Sequence, residues 1–144
     1  MAAVNRSVLV GYSAQQMHAL VADVESYPQF LPWCERGVVV TRGPDRTVAT
    51  LYINFHGVKE SFTTENHDQA GQIDMRLVSG PFRELAGCWT FSALGDAACK
   101  VEFALRYAFA SRVLEKLIGP VFRDITDGMV EAFVRRADAR FGGR

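Results

Sequence analysis

The chain predicts an α+β fold: a curved antiparallel sheet of about seven strands around one long C-terminal helix, with two short helices after the first strand. Three observations predict it. From Ser111 to Phe141, apolar residues return every three or four positions: Leu114, Leu117, Ile118, Val121, Phe122, Ile125, Met129, Val130, Phe133, Val134, Ala137 and Phe141. That spacing is one face of an α-helix, about 45 Å long at 1.5 Å per residue. Between Gly37 and Phe109, apolar and polar residues alternate instead, the period of strands with one buried face. Short turn signals such as Gly43-Pro44-Asp45, Ala70-Gly71 and Gly95-Asp96 separate these stretches, which suits an antiparallel meander. The sheet needs its apolar face covered, and the long helix is available to cover it.

In chain order, Val4 to Gly11 reads as the first strand. Ser13 with Gln16 three residues later is a capping-box pattern, opening a helix to about Asp23 with Met17, Leu20, Val21 and Val24 on its apolar face. Pro28 and Pro32 prevent Tyr27 to Cys34 from forming one regular helix, so a short second helix or turn is expected there. Strands follow at Gly37–Arg42, Thr47–His56, Val58–His67, Gln72–Val78, Leu85–Leu94 and Cys99–Phe109. Pro120 has two readings. Either it stands near the start of the main helix with Leu114–Gly119 a separate turn, or it is a hinge that lets Ser111–Ile118 open a cavity mouth. Gly128 is a second weak point in the helix. Arg123–Asp127 and Glu131–Arg135 are spaced to pair on a solvated helix face.

The totals narrow the class. The 144 residues, 49% of them hydrophobic, suit a single domain spanning 1–144, and no linker or repeat divides it. Sixteen basic and sixteen acidic side chains cancel, which argues against a broad electrostatic grip on DNA. No apolar run reaches the roughly 20 residues that span a bilayer, and Met1–Val10 carries no signal-peptide or presequence pattern. Cys34, Cys88 and Cys99 are odd in number and widely spaced. Reduced thiols and a cytoplasmic location are therefore expected, with peripheral contact at the inner face of the cell membrane as an extension.

Catalytic chemistry finds little support. The carboxylates are scattered, His18, His56 and His67 lie on different elements, and neither zinc spacing nor a phosphate-binding glycine loop is present. A non-enzymatic protein without metal or required cofactor is expected. The enrichment is aromatic: ten Phe, four Tyr and two Trp. Singly each reads as core. Together, Phe55, Phe62, Trp89, Phe91, Phe103 and Tyr107 fall on one sheet face, where a lone helix leaves volume for an apolar ligand. Tyr107 and Arg83 are candidate hydrogen-bond donors to such a ligand. Arg135, Arg136 and Arg140, with Arg144, gather at the end of the helix. They read as dipole compensation or as a basic patch for lipid headgroups or ribosomal RNA.

Several blocks carry a resemblance: Tyr27-Pro28-x-Phe30-Leu31-Pro32-Trp33-Cys34, Leu77-Val78-x-Gly80-Pro81-Phe82, Leu85-x-Gly87-x-Trp89-x-Phe91, and Ser111-Arg112-Val113-x-Glu115 through Met129-Val130-x-Ala132-Phe133. With the element order, they resemble the coenzyme Q-binding START-domain family of the polyketide-cyclase-like superfamily, including its bacterial ribosome association toxin branch. The resemblance implies a helix-grip (START/Bet v 1-like) fold and a cavity for ubiquinone or a similar polyprenyl quinone, supporting respiratory electron transfer. It also implies an alternative, binding of the large ribosomal subunit that blocks subunit association. A cyclase or hydrolase using the same cavity is a third reading. On that fold the expected lining is Leu51, Ile53, Phe55, Phe62, Leu77, Phe82, Trp89, Phe91, Phe103, Leu105, Tyr107, Phe122, Met129 and Phe133. Tyr27, Phe30, Leu31 and Trp33 are expected at the cavity mouth or a membrane interface. The family has no established catalytic residues to transfer.

Overall fold

The computed structural model describes residues 2–142. Seven strands form one antiparallel sheet in the order β1-β7-β6-β5-β4-β3-β2. They are β1 (Ala2–Val10), β2 (Cys34–Arg42), β3 (Arg46–Phe55), β4 (Val58–Gln69), β5 (Gln72–Ser79), β6 (Phe82–Ala93) and β7 (Cys99–Phe109). From β2 to β7 each strand pairs with the next, the meander that short turns dictate. The tightest link is His56-Gly57, enclosed by the Phe55–Val58 pair with φ of 50° and 81°. Both central residues lie in the left-handed region, where a two-residue hairpin turn matches the twist of its strands.

β1 closes against β7, and the chain then crosses to the far edge through α1 (Ala14–Ala22) and a 3₁₀ turn, Val24–Gln29. The capping box at Ser13 forms: its hydroxyl accepts from the Gln16 N–H at 3.1 Å, and its own N–H donates to Gln16 Oε1 at 2.9 Å. Met17, Leu20 and Val21 then face the sheet, buried. The 3₁₀ turn passes so close over β2 that a Cβ on Gly37 would sit 2.2 Å from the Val24 carbonyl oxygen. Only glycine admits that crossing. This 3₁₀ turn is what the expected second helix becomes, because Pro28 and Pro32 cap its length.

The long helix is divided, and not where proline would divide it. α2 (Arg112–Asp127) runs unbroken through Pro120, and α3 (Met129–Phe141) begins after Gly128. Pro120 and Lys116, whose carbonyl loses its N–H partner, are both exposed, so water can take the missing place. Gly128, at φ −98° and ψ 2°, has left helical geometry, and the Asp124 and Thr126 carbonyls both accept from its N–H. Helical periodicity also misplaced Leu117, which is 65% exposed rather than packed. The expected Arg123–Asp127 pair is replaced by one across the fold, in which Arg6 of β1 holds Asp127 at 3.0 Å. Glu131 and Arg135 are not among the described ion pairs. Among the described residues no helix is long and apolar enough to cross a membrane.

Candidate functional site

A cavity of about 70 Å³ lies between the concave sheet face and the α2–α3 junction. Alternation on β7 and β6 supplies Phe103, Leu105, Leu85 and Trp89. β3 to β5 add Ala49, Leu51, Phe62, Thr64, Asn66 and Met75, and the helices close it with Phe122, Ile125, Thr126 and Met129. Val24, Tyr27 and Trp33 complete it from the 3₁₀ segment and the loop after it. Small-molecule pockets usually offer roughly 300–1,000 Å³, so this one is nearly filled by its own walls.

The structure brings together Leu51, Phe62, Trp89, Phe103, Leu105, Phe122 and Met129 of the expected lining. Phe82 packs tilted and Tyr107 edge-on against Phe122, with ring centroids 5.0 and 4.8 Å away, and Phe133 stands edge-on to Trp89 at 5.3 Å. They support the wall without forming it. Ile53 and Phe91 are buried elsewhere, Phe91 beneath the His18 ring at 5.1 Å, while Phe55 and Leu77 are half-buried outside the lining. The aromatic excess therefore makes a continuous ring cluster more than an empty pocket.

The apolar side chains of the Tyr27–Trp33 segment turn inward, Tyr27 and Trp33 into the cavity lining. Tyr27, Leu31 and Trp33 are buried, and Phe30 is half-buried against Phe133. The Tyr27 hydroxyl donates to the Val21 carbonyl, and burial, with Cys34 and Asp23 nearby, holds its pKa above the ordinary phenol value. The basic residues also part company. Arg136 donates to Gln29 Oε1 at 2.6 Å and lies over the Phe30 ring at 5.1 Å, Arg140 lies over Phe141, and Arg135 is exposed. Arg136 and Arg140, four residues apart, share a helix face, while Arg135 lies about 100° around the helix from Arg136.

Sequence reasoning missed the polar part of the lining. Thr64 is buried and donates to Asn66 Oδ1 at 2.9 Å, and Thr126 is fully buried, donating to the Arg123 carbonyl at 3.1 Å. Thr64 and Asn66 follow Phe62 at steps of two on β4, so strand periodicity places them on its face. Tyr107 is buried beside Thr126, and burial raises its pKa. The exposed Arg83 lies outside the lining.

Nucleophiles and metal ligands do not gather here. Burial raises the pKa of all three unpaired thiols, Cys34 to about 11, and Cys88 and Cys99 above the ordinary value. Deprotonation is disfavoured where a reactive cysteine would need it. His18 pairs with Asp68 at 2.6 Å and His67 with Glu65 at 3.3 Å. Among the described residues no cluster of His, Cys, Asp or Glu could hold a metal ion.

A seven-stranded antiparallel grip on C-terminal helices, enclosing an apolar cavity, is the START-like architecture. Residues 10–134 match the family described as polyketide cyclase / dehydrase and lipid transport, and the chain belongs to it. The solved Zhui aromatase/cyclase of Streptomyces sp. R1128 superposes with a TM-score of 0.83 over 99% of this chain and 98% of its own, at 17% identity, which speaks to fold. Within the family, a Vibrio cholerae protein named Ribosome association toxin RatA is 44% identical over 96% of this chain and 97% of its own length. The Escherichia coli protein of that name is 40% identical over 98% of this chain and 90% of its own. A Xenopus laevis Coenzyme Q-binding protein COQ10 homolog B is 29% identical over 96% of this chain, which spans 59% of that protein.

Proposed function

We propose that this chain acts on the ribosome: it binds the large subunit and blocks its association with the small one, in the cytoplasm. The observation that carries this reading is the 44% identity, sustained over 96% of the chain and 97% of the relative, with a protein named for ribosome association. It acts by binding rather than turnover. In support, no carboxylate, histidine, cysteine or basic side chain lines the cavity, and its phenol, Tyr27, donates to the Val21 carbonyl with its pKa raised by burial. Sucrose-gradient centrifugation of separated subunits with the purified chain tests the reading. The chain is expected to travel with the large subunit and to reduce the 70S peak. Absence from that fraction with an unchanged 70S peak overturns it.

A second reading is a polyprenyl quinone held in the cavity, reached by peripheral contact with the membrane. It is favoured by an apolar lining interrupted by Thr64 and Asn66, a hydrogen-bonding spot of the kind that orients a quinone carbonyl. At about 70 Å³ the cavity has to enlarge before a headgroup enters. Organic extraction and mass spectrometry of the protein purified from a quinone-producing bacterium decides it: stoichiometric quinone supports the reading, and none, with failed reconstitution, removes it.

A further inference from the structure

We propose that the groove between α2 and the β1–β7 edge of the sheet is an RNA-backbone site, and that Lys116 and Arg123 are its phosphate-binding cations. The proposal rests on the ribosome reading above for its partner, and on the geometry for its location.

The groove holds about 480 Å³. Its floor is the end of β7, residues 107–109, and its outer wall is α2, contributing Lys116, Gly119, Pro120 and Arg123. Arg112, Lys116, Gly119 and Arg123 recur at steps of four, three and four, which places them on one helix face. The row spans about 16 Å along the axis at 1.5 Å per residue. Gly119 puts no side chain in the middle of it, and Phe109 and Glu115 flank that position.

Among the described residues the cations of this groove are not held in ion pairs, though Glu115 stands beside them. Arg42, Arg46 and Lys100 each have a carboxylate within 4.0 Å, but among the described residues no ion pair engages Arg112, Lys116 or Arg123. Arg123 has a partner four residues on in Asp127, the commonest helical pairing. Arg6 of β1 takes that carboxylate instead, at 3.0 Å. Glu115 at the rim is the one carboxylate in the lining.

A lipid surface is the competing occupant, because Val113 and Leu117 on α2 are 66% and 65% exposed. Those two residues lie about 60° to 120° around the helix from Lys116 and Arg123 at 100° per residue, on an adjoining flank. Lys116 and Arg123 are exposed on α2, and the ribosome reading decides for RNA over a lipid headgroup as the source of the phosphate.

The experiment measures binding of the purified chain to isolated large subunits and to a fluorescein-labelled RNA hairpin across a salt series. It compares wild type with Lys116→Glu/Arg123→Glu, the milder Lys116→Gln/Arg123→Gln, and Val113→Asp/Leu117→Asp. All these side chains are exposed, and circular dichroism checks each fold. The cation variants are expected to bind both partners at least about tenfold more weakly. Their salt dependence should be shallower by about 1 to 2 in log K against log salt, because each phosphate contact contributes about 0.7–0.9. The Val113/Leu117 variant is expected to match wild type. Subunit binding that survives loss of both cations overturns the groove and leaves the ribosome reading standing. Wild type that ignores subunits overturns the ribosome reading; the hairpin then judges the groove alone, with cation-dependent binding upholding it and no binding overturning it. Wild type that prefers phosphatidylglycerol/phosphatidylcholine vesicles to RNA, lost in Val113→Asp/Leu117→Asp, overturns the proposal in favour of a lipid surface.

Discussion

The concave faces of β6–β7 and of β3–β5 carry the same alternation and meet different fates. Val101, Phe103, Leu105 and Tyr107 of β7, and Leu85, Trp89 and Phe91 of β6, are all buried. On the other half, Ala49, Ile53, Thr64 and Ile73 are buried, but Leu51, Phe55, Phe62, Met75 and Leu77 on the same strand faces are only half-buried. The difference lies in the helices. α1 lies on β6 and β7, and α2 on β7 with a lighter contact to β4. One half of the sheet is sealed by helix, and the other relies on neighbouring strands and the 3₁₀ turn. Any enlargement of the cavity should therefore occur on the β3–β5 side, where less apolar contact is lost.

The largest expected effect tests this inequality with one chemistry at two places. Leu85→Ala on the sealed half should cost about 3 kcal/mol, within the usual range for a buried leucine. Leu77→Ala on the looser half should cost about 1 kcal/mol, because its site is already partly solvated. Urea unfolding of both variants measures the gap, and equal costs would break the comparison.

Gly37→Ala asks what holds the looser half. The added Cβ would stand 2.2 Å from the Val24 carbonyl oxygen, so the 3₁₀ turn must lift from β2. A loss of about 2 kcal/mol is expected from overpacking that backbone cannot relieve. If the turn is the lid of this half, the same variant should also exchange the amides of Val24–Gln29 faster while those of β7 stay protected.

A smaller effect comes from Cys34, at the root of β2. Burial raises its thiol from 9.0 to about 11 in the folded chain. The folded state thus favours the neutral thiol, and this contribution is fully present below pH 9. As pH climbs from about 9 to about 11 the unfolded thiol ionises first, and stability falls across that window. Denaturation midpoints measured against Cys34→Ala, which lacks the step, should converge as pH rises. Parallel curves would place the thiol in a wetter setting than burial implies.

These regions also separate what was legible in the sequence from what was not. Strands and hairpins follow from period-two alternation and turn residues, both local, and β7 begins and ends where the pattern does, at Cys99 and Phe109. The division of the C-terminal helix was misjudged because Pro120 announces a break louder than Gly128 does, yet a proline whose orphaned carbonyl faces solvent is tolerated. The cavity was legible as a face but not as a list: large rings such as Phe82 and Tyr107 turned out to buttress the wall, while Thr64, Asn66 and Thr126 were passed over as polar. The fate of Asp127 was beyond any local pattern, because its partner Arg6 lies on β1, at the other end of the chain.

The smallest expected effect concerns the helix that divides the two halves. Leu117 and Ile118 are adjacent and equally apolar, and periodicity assigned both to the core. The structure buries Ile118 at 4% exposure and leaves Leu117 at 65%. Consecutive residues on a helix point 100° apart, so both can face the sheet only if the covered arc is wide. Here the arc is narrow, because α2 meets β7 on one flank and only brushes β4 on the other. Leu117→Gln should then leave stability within about 0.5 kcal/mol of wild type, as exposed substitutions usually do. Ile118→Ala should lose about 3 kcal/mol by opening a cavity against the sheet. A costly Leu117→Gln would mean that the β3–β4 side closes over α2 in solution, and the contrast between the two halves of the sheet would shrink accordingly.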